Sequence, residues 1–435
     1  MHYIKSKNVL IEGKLTPACI VIDNGKIIEV NDYDNTVNAE DFGELVIMPG
    51  IIDTHVHIND PGRADWEGFE TATKSAAAGG ITTLVDMPLN SSPVTTTKEN
   101  FDIKLKAAEG NLFVDCGFYG GAVHDNIDKL SELCSSGVLG IKSFMINSGL
   151  DEFRWVDEND LRKILTILKD FDLPLLVHAE VMGEEVLNEL VTFSEFLAAR
   201  PRSMEDKAIQ LLIKLCKEFD TRIHIVHLSS SNSIEPIRKA KQEGLKLTVE
   251  TCPHYLYFCS EEIPQDDARF KCTPPIREKE NNEKLWQALE DGTIDMIASD
   301  HSPCTNDLKA KKFSEAWGGI ASLQVSLSAV WTKAKERAIG IEKISEWMSG
   351  NTTKLVGLDN VKGKIEVGFD ADLVIWNPDE KFTVVPDSLH HKNKISAYHD
   401  EELYGAVKTV FVRGEKVYDN GEFANSPMGK AIIKK

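Results

Sequence analysis

Through the centre of the chain, short apolar runs alternate with longer stretches in which apolar residues recur at helical spacing. This alternation is typical of strand–helix units that build a parallel sheet. The strand-like runs are 50–57, 81–86, 112–119, 139–145, 173–178, 222–228, 246–250 and 294–300, and the helical stretches include 67–78, 160–169, 206–219 and 233–242. Eight such units over about 250 residues match the size of a (β/α)8 barrel. The pattern therefore predicts an α/β fold, with a TIM barrel over residues 51–362.

The two ends of the chain have a different, β-rich pattern. Their apolar runs are 8–11, 20–22 and 26–30 near the N-terminus, and 371–376 and 407–417 near the C-terminus. Turn residues at Asp23-Asn24-Gly25 and at Arg413-Gly414 separate runs in the way that hairpin loops do. We expect the two ends to meet and to form one small β-sandwich domain from residues 1–50 and 363–435.

The composition is that of a folded, acidic protein. The 435 residues are 42% hydrophobic, and 49 Lys and Arg against 69 Asp and Glu give a net charge of −20. This much apolar material can bury a large core, which excludes a disordered chain. The negative charge argues against nucleic acid as a partner. Because the sequence has no apolar run of about 18 residues and no apolar signal segment at its start, we expect a cytoplasmic protein with no membrane partner.

The first barrel run ends in a pattern that suits metal binding. Strand alternation places Asp53, His55 and His57 on one face, where two imidazoles could bind the same cation. An isolated His-x-His pair is more often a pair of buried core histidines. Catalytic groups of such barrels lie at the C-terminal ends of the strands, however. The residues at the other strand ends therefore indicate whether this pair is a metal site or a pair of core histidines.

Three further runs close on titratable side chains. His178 ends the fifth run, His227 the sixth and Asp300 the eighth. His224 has the opposite parity to His227, so we expect it to pack outward against the helices. Asp295 lies early in its run and on the other face, which favours a structural role. Four histidines and one aspartate at strand ends are hard to explain by core packing alone.

The fourth run contains a lysine within an otherwise apolar strand, at Lys142. A buried ammonium group is costly, so such a lysine forms an ion pair, loses its proton or reacts. An ion pair with a barrel carboxylate would be the ordinary explanation. Beside four histidines and an acid, a second explanation fits better: the neutral amine adds carbon dioxide, and the resulting carbamate bridges two metal ions.

These positions carry a family resemblance. The tracts 49–57, 140–142, 227–230 and 299–303 resemble those of the cyclic amidohydrolases, which include dihydroorotase, hydantoinase and allantoinase, and the similarity extends over essentially the whole chain. The resemblance implies two divalent metal ions, zinc in the first place, with cobalt, manganese or iron as alternatives. The implied ligands are His55, His57 and Asp300 for one ion, His178 and His227 for the other, and an N6-carboxylated Lys142 as the bridge.

Within the family, the tracts 59–71, 86–91, 251–255 and 299–304 are most similar to those of the allantoinase branch. Asn59 stands where dihydroorotases have an arginine that clamps the substrate carboxylate, and Cys304 where they usually have a histidine. An uncharged ring suits this pocket better than a carboxylated one.

The branch resemblance also implies a reaction. A hydroxide shared by the two metal ions would open the ring of allantoin to give allantoate. Asp300 would act as the catalytic base and then return the proton to the departing ring nitrogen. The resemblance also implies a homotetramer and a role in purine breakdown.

Loop residues that follow the barrel strands are candidates for binding the substrate. They are Asn59, Asn90, His254, Thr273 and His301. Family members use the positions of Asn59 and Thr273 for substrate contacts. Asp53 could either orient the metal-binding histidines or be an ordinary buried acid.

Other functions remain open at the level of sequence. A hydantoinase, dihydropyrimidinase or dihydroorotase reaction would use the same metal ligands. A metal-free scaffold protein is a further alternative, because the family includes members that have lost their metals. The presence of all six ligand positions argues against it.

Overall fold

The N-terminal segment forms the first half of a β domain. The computed structural model describes residues 1–34, 36, 38–182 and 191–434. Its first strands are β1 (His2–Ile11), β2 (Lys14–Asp23), β3 (Lys26–Asp32), β4 (Glu40–Asp41) and β5 (Val46–Pro49). Asn24 and Gly25 connect β2 to β3 with positive φ angles of 50° and 79°, as a two-residue hairpin turn requires. This turn lies where the sequence predicts it.

The barrel strands begin directly after β5. They are β6 (Ile51–Val56), β7 (Ile81–Asp86), β8 (Asp115–Phe118), β9 (Gly120–Gly121), β10 (Ile141–Phe144), β11 (Leu175–His178), β12 (Ile223–Ile225), β13 (Leu247–Thr251) and β14 (Met296–Ile297). Strands β6 to β8 pair in parallel in one sheet, and β9 to β14 in another. The two sheets meet where β8 continues through Tyr119 into β9, and where Val56 pairs with His301. Each predicted strand run contains one of these strands, so the predicted barrel is confirmed.

Helices follow most of the barrel strands. They are α1 (Phe69–Ala78), α2 (Lys98–Ala108), α3 (Leu130–Ser135), α4 (Glu158–Leu168), α5 (Phe193–Ala199), α6 (Ser203–Phe219), α7 (Ile234–Gln242), α8 (Pro253–Tyr257), α9 (Lys279–Glu290), α10 (Asn306–Lys309), α11 (Ser326–Glu336), α12 (Ile341–Ser345) and α13 (Asn351–Val356). The four predicted helical stretches correspond to α1, α4, α6 and α7. Among the residues that the structure describes, no helix is long and apolar enough to cross a membrane.

The C-terminal segment completes the β domain. Its strands are β15 (Leu373–Thr383), β16 (Glu402–Val412), β17 (Glu415–Asp419) and β18 (Glu422–Phe423). The sheet runs in the order β18-β17-β16-β15-β5-β1-β2-β3, with β15 antiparallel to β5. A separate hydrophobic cluster joins side chains of both halves, including Ile20, Ile47, Ile375 and Phe411. The two chain ends therefore build one β domain with its own core, as expected.

The C-terminal tail departs from the predicted division into residues 363–435 and 51–362. Strand β19 (Ala431–Ile432) pairs in parallel with β8, so it extends a barrel sheet and not the β domain. The Gly429 N–H donates to the Leu112 carbonyl at 2.7 Å, and a Cβ on Gly429 would lie 2.0 Å from the Val114 carbonyl oxygen. The tail therefore pairs with backbone groups along the otherwise open edge of β8. Residue 435, the last of the predicted range, lies outside the described residues.

A buried ion cluster connects the barrel to the β domain. The Lys362 ammonium lies 2.5 Å from Asp372, 2.9 Å from Asp115 and 3.1 Å from Asp370. Asp115 belongs to β8 and also pairs with Arg413, which follows β16. Burial alone would lower the pKa of Lys362, but the surrounding carboxylates raise it above its usual value. The ammonium therefore stays charged and neutralises acids from both domains.

We expect Lys362→Met to destabilise the protein by about 3–5 kcal/mol, because it leaves buried carboxylates without their cation. Lys364→Met is the matched control, since Lys364 is exposed and lies 3.8 Å from Glu366. That change should stay within about 0.5 kcal/mol. Thermal and denaturant unfolding of both variants would check the difference. Equal stabilities of the two variants would contradict a structural role for this cluster.

Candidate active site

A pocket at the C-terminal ends of the barrel strands brings the predicted metal ligands together. This central pocket has a volume of about 70 Å3. The side chains predicted as ligands all line it: His55, His57, Lys142, His178, His227 and Asp300. Its remaining lining residues are Leu89, Asn90, Phe144, Ser148, Cys272, Thr273, Ser302, Trp317, Gly318 and Gly319.

The alternation of side chains along the strands places most of these residues in the pocket. In β6, Val56 packs into the main hydrophobic core, whereas its neighbour His55 faces the pocket. In β10 and β11, Ile141 and Val177 likewise pack into that core, and the residues that follow them, Lys142 and His178, reach the pocket. A strand with one polar residue of correct parity at its end therefore places that residue at the barrel mouth.

The sixth strand differs from the prediction. His224 points into the barrel. Its Nδ1 lies 2.8 Å from the Thr248 hydroxyl, and its Nε2 lies 3.0 Å from Glu250. Its neighbours Ile223 and Ile225 pack into the main core. The prediction that His224 packs outward against the helices is therefore wrong.

His227 reaches the pocket by a change in backbone conformation. Strand β12 ends at Ile225, and the φ angle of His227 is 40°, in the left-handed region that residues with a Cβ seldom adopt. Asp300 also has a positive φ, of 46°. Such backbone conformations are costly and are kept where the position of a side chain matters. Because the alternation ends before His227, its side chain can lie on the same side as that of His224.

One carboxylate joins His55 of β6 to His57, which directly follows that strand. The Asp300 Oδ1 atom lies 3.1 Å from Nε2 of His55 and 3.3 Å from Nε2 of His57. Their ligand atoms are close enough for all three side chains to bind one metal ion. Burial would raise the pKa of Asp300, but His55 and the other histidines hold it well below its usual value. The carboxylate is therefore ionised.

Glu250, the last residue of the seventh predicted run, was missed by the sequence analysis. Its carboxylate contacts Nδ1 of His55 through one oxygen and Nε2 of His224 through the other. The backbone N–H of His227 also donates to it, at 3.3 Å. Burial opposes ionisation, but the two histidines lower the pKa of Glu250 to about 2. The parity of Glu250 with Thr248 in its run was the signal that could have identified it.

A second acid supports the other side of the pocket. Glu180 lies 2.8 Å from Nε2 of His178 and 2.6 Å from the Arg200 guanidinium. Phe144 stacks on the His178 ring, with the ring centroids 4.6 Å apart and the planes 12° apart. His227 lies 4.6 Å from the same ring, at a steep angle. The contact with Glu180 occupies Nε2 of His178 and leaves its Nδ1 as the nitrogen available to a ligand.

Lys142 is the least satisfied side chain of the pocket. It has no exposed surface, and its Nζ atom has no hydrogen-bond partner among the described residues. The Phe144 ring centroid is 4.9 Å from Nζ. Burial lowers the pKa of Lys142 to about 8, although Asp300 and Glu250 oppose that shift. The ion pair that would ordinarily explain a buried lysine is therefore not formed, and the amine is partly neutral near neutral pH.

The donor set fits divalent metal ions. Imidazole nitrogens and carboxylate oxygens are ligands that zinc and similar cations accept. Burial lowers the pKa values of His57, His178 and His227, so each has a nitrogen lone pair to offer. Burial also tends to lower the pKa of His55, but Asp300 and Glu250 raise it to about 9. A proton on His55 balances the two acids here, and a divalent cation could replace it.

The structure places two of the predicted substrate-binding residues in the pocket lining and the other three outside it. Asn90 and Thr273 line the central pocket. Asn59 is fully buried, and its Nδ2 donates to the Pro303 carbonyl at 3.1 Å. Its Oδ1 atom has no hydrogen-bond partner within the described chain. Asn59 therefore holds the loop after β14, which carries Ser302, in addition to any contact with the substrate.

His301 has a different role from the predicted one. Its Nδ1 accepts hydrogen bonds from the backbone N–H groups of Ser322 and Leu323, and its Nε2 lies 3.3 Å from Glu67. Both ring nitrogens are thus used within the protein, and His301 does not line the central pocket. We correct its assignment from a substrate contact to a structural residue.

His254 is also absent from the pocket lining. It is fully buried beside Asp300, and neither ring nitrogen has a hydrogen-bond partner in the described part of the chain. Burial lowers the pKa of His254 to about 4, so the ring is neutral. A contact between His254 and a substrate would have to pass the Asp300 carboxylate.

Asp53 acts on the backbone of the ligand-bearing strands. One of its oxygens accepts the N–H groups of His55 and Ser299, both at 3.1 Å. It therefore connects the first barrel strand to the segment that carries Asp300. The sequence left open whether Asp53 orients the histidines or is an ordinary buried acid. The contacts favour the buried acid, because Glu250, and not Asp53, holds the imidazole of His55.

An aromatic cluster at the mouth of the pocket was also missed. The rings of Trp66 and Trp317 lie 4.9 Å apart at a steep angle, and the Arg63 guanidinium lies 5.6 Å from the Trp66 ring. Arg63 also donates to the Asn90 carbonyl at 2.7 Å. These contacts join the loops after β6, β7 and β14. Loop residues far apart in sequence give no periodic signal that would have revealed the cluster.

Comparisons with known proteins agree with this geometry. The profile of the amidohydrolase family matches residues 46–417. The chain is 47% identical to an allantoinase of Streptomyces avermitilis over 99% of this chain and 98% of that one. It is 39% identical to an allantoinase of Saccharomyces cerevisiae, covering 100% and 99%.

The fold is also similar to those of solved hydantoinases. The L-hydantoinase of Arthrobacter aurescens superimposes with a TM-score of 0.91 at 30% identity, over the full length of both chains. A D-hydantoinase superimposes with a TM-score of 0.90 at 25% identity, over 100% of this chain and 99% of that one. These matches extend across the barrel and the β domain. The chain belongs to the amidohydrolase family.

Proposed function

We propose that this chain is an allantoinase, which opens the ring of allantoin by hydrolysis to give allantoate. The observation that carries the proposal is the near full-length similarity to relatives named allantoinase, from bacteria to yeast. The central pocket supports it with a set of side chains suited to hydrolysis of a cyclic amide. Of the alternatives, the scaffold protein is disfavoured because all six ligand positions meet at this one pocket.

The proposed metal site uses the six side chains that line the pocket. His55, His57 and Asp300 would hold one divalent ion, and His178 and His227 a second. When bound, the ions would polarise the scissile carbonyl and lower the pKa of the attacking water. We propose zinc as the preferred metal, because the donors are nitrogen and oxygen atoms of borderline character.

Lys142 is proposed to bridge the two ions as a carbamate. The Lys142 ammonium would first lose one proton, and the neutral Nζ would then form a bond to the carbon of carbon dioxide and release a second proton, so that a cation becomes an anion. Burial without a hydrogen-bond partner favours such a reaction, because the carbamate can bind metal on both sides whereas the ammonium cannot. The stacked rings of Phe144 and His178 close this part of the pocket against water.

Asp300 is proposed to move the proton during the reaction. Its carboxylate would accept a proton from the attacking water as the C–O bond forms. It would then donate that proton to the ring nitrogen as the C–N bond breaks, so that the product is neutral at that nitrogen. The left-handed backbone of Asp300 and the contacts with His55 and His57 fix the carboxylate for this role.

The pocket favours an uncharged ring. No arginine lines the described part of the pocket, and Arg63 nearby is held by the Asn90 carbonyl and by Glu152 at 3.6 Å. A substrate carboxylate would therefore lack its usual bidentate partner. Asn90, Thr273 and the backbone at Gly318-Gly319 offer neutral polar contacts that suit ureido and ring amide groups.

From the family resemblance we further propose a homotetramer that acts in the cytoplasm. Sedimentation analysis of the purified chain would measure the oligomeric state. A monomer at working concentration would contradict this part of the proposal without affecting the assigned reaction.

Comparison of four substrates under the same conditions tests the function. We expect kcat/KM to be highest for allantoin, compared with hydantoin, dihydrouracil and dihydroorotate, because the pocket lacks a cation for a carboxylate. Ring opening can be followed by the loss of the cyclic amide absorbance and by detection of allantoate. Preference for hydantoin or dihydrouracil would support the hydantoinase alternative, and preference for dihydroorotate the dihydroorotase alternative.

We expect Lys142→Ala to lower turnover by about three orders of magnitude and to reduce bound metal, because the proposed bridge is lost. Short carboxylates such as acetate or propionate should restore part of the activity by occupying the space of the lysine chain. Lys142→Met is the matched control, since its side chain fills that space and leaves no room for rescue. Metal content per chain and the mass of the intact protein would be measured in parallel. Full activity of Lys142→Ala would rule out the bridge.

We expect Glu250→Gln to weaken metal binding by about 10- to 100-fold, because the carboxylate that orients His55 loses its charge. Release of metal to a chelator would measure this change directly. Asp160→Asn is the control, since Asp160 is also buried but lies in α4 and pairs with His124, which is not a proposed ligand. Metal affinity should not change in the control. Equal affinities of the two variants would show that Glu250 does not support the metal site.

A further inference from the structure

A second group of metal-binding side chains lies beside the six proposed ligands. The ligand atoms of Cys252, His254 and Asp300 all lie within 4.8 Å of one another, and all three residues are buried. Cys252 directly follows β13, and His254 lies in the first turn of α8. The proposed reaction uses Asp300 but not the Cys252 thiol.

His254 provides an independent indication of a ligand. Both of its ring nitrogens are buried and have no hydrogen-bond partner in the described parts of the chain. A buried imidazole without partners is unusual, because each unsatisfied polar atom costs free energy. His224 shows the normal case in this barrel, since both of its nitrogens are bonded. A cation between His254 and its neighbours would satisfy one of the free nitrogens.

The chemistry of this group differs from that of the proposed catalytic centre. The catalytic ligands supply nitrogen and oxygen, whereas this group adds a sulfur atom. Thiolate ligands favour soft and borderline cations such as Cd²⁺ and Zn²⁺. The sulfur atom therefore makes this group more selective for soft cations such as Cd²⁺ than the proposed catalytic centre, with which it shares the Asp300 carboxylate.

We propose that Cys252, His254 and Asp300 form an inhibitory site for a thiophilic divalent cation. Binding would release the thiol proton to solvent and leave the sulfur coordinated to the cation. Asp300 has two oxygens, one for the proposed catalytic ion and one for the proton, so a second cation on the remaining oxygen would stop the reaction. This inhibitory effect rests on the proposed role of Asp300, whereas binding of the cation does not.

The central pocket provides the path to this site. Asp300 lines the pocket and its side chain is 12% exposed, whereas Cys252 and His254 have no exposed surface. A cation would therefore pass the substrate position before it reaches the thiol. We expect a bound substrate to slow the onset of inhibition.

Cadmium titration of the metal-loaded enzyme tests the proposal. All proteins would carry Cys259→Ser, because Cys259 is the one cysteine of the eight that is not buried. In this background we expect one additional cadmium ion per chain, a thiolate-to-cadmium absorption band in the ultraviolet, and loss of activity. A thiolate-shifted ¹¹³Cd resonance would identify the sulfur ligand without any activity measurement.

Cys252→Ser separates this site from other thiols. We expect the variant to lose the absorption band and to need about tenfold more cadmium for inhibition, because removal of a direct ligand costs at least as much as loss of a supporting group. Cys216→Ser is the matched control: its thiol is also buried, in α6, where it donates to the Thr221 carbonyl at 3.5 Å. The control should keep the band and the inhibition.

The outcomes distinguish this proposal from the proposed function. An unchanged band in Cys252→Ser, or no sulfur-shifted resonance in the parent protein, would overturn the site. If Cys252→Ser does not fold, the ¹¹³Cd spectrum of the parent and the smaller variant Cys252→Ala still decide the question. A sulfur-shifted resonance in a protein that does not hydrolyse allantoin would keep the site and reject the reaction.

Discussion

The burial of negative charge at one end of the barrel is the constraint on which the site depends. Asp300 and Glu250 are both held inside the protein, and both remain ionised because histidines surround them. Charged carboxylates are stable in such surroundings only when positive charge is close. A protonated His55 can supply it, and so can metal ions. Buried negative charge that needs a positive partner makes this end of the barrel suited to cations, and the neutral imidazoles of His178 and His227 extend the site on the other side.

The fold supplies this charge arrangement from strands that are distant in sequence. Asp53 fixes the backbone of the first strand to the segment after the last one, and Glu250 connects His55 to His224 and to the backbone of His227. These two acids therefore maintain the spacing of the ligands without being ligands themselves. The buried cluster around Lys362 acts in the same way at the junction with the β domain, where one cation holds acids from both parts. Across the described chain, buried charge is used to fix the relative position of separate elements.

The sequence predicts those parts of the structure that follow from local periodicity. Alternation correctly places His55 and Lys142 on the pocket side, because both residues lie inside their strands, β6 and β10. It fails at His224, because β12 ends early and a left-handed residue reverses the expected orientation of His227. The parity of Glu250 within its run also indicated which face of the strand it lies on, but a single acid at a strand end has many ordinary explanations. The tail strand β19 could not be foreseen, since two residues carry no period and their pairing depends on the edge that β8 leaves open.

We expect substrate choice to depend on the loops around the pocket and not on the proposed metal ligands. Hydantoinases share this fold with TM-scores near 0.9, although only 25–30% of the residues are identical. The proposed ligands lie on the barrel strands or directly after them, where the barrel fixes their positions, whereas the outer loops can vary without disturbing the strands. In this chain the edge-to-face pair of Trp66 and Trp317 joins the loops after the first and last strands, and Arg63 adds the loop that carries Asn90. Because Asn90 and Trp317 both line the pocket, this cluster sets the shape that a ring must fit. The barrel therefore provides a general means of opening cyclic amides, and the packing of a few loop residues against one another determines which ring reaches it.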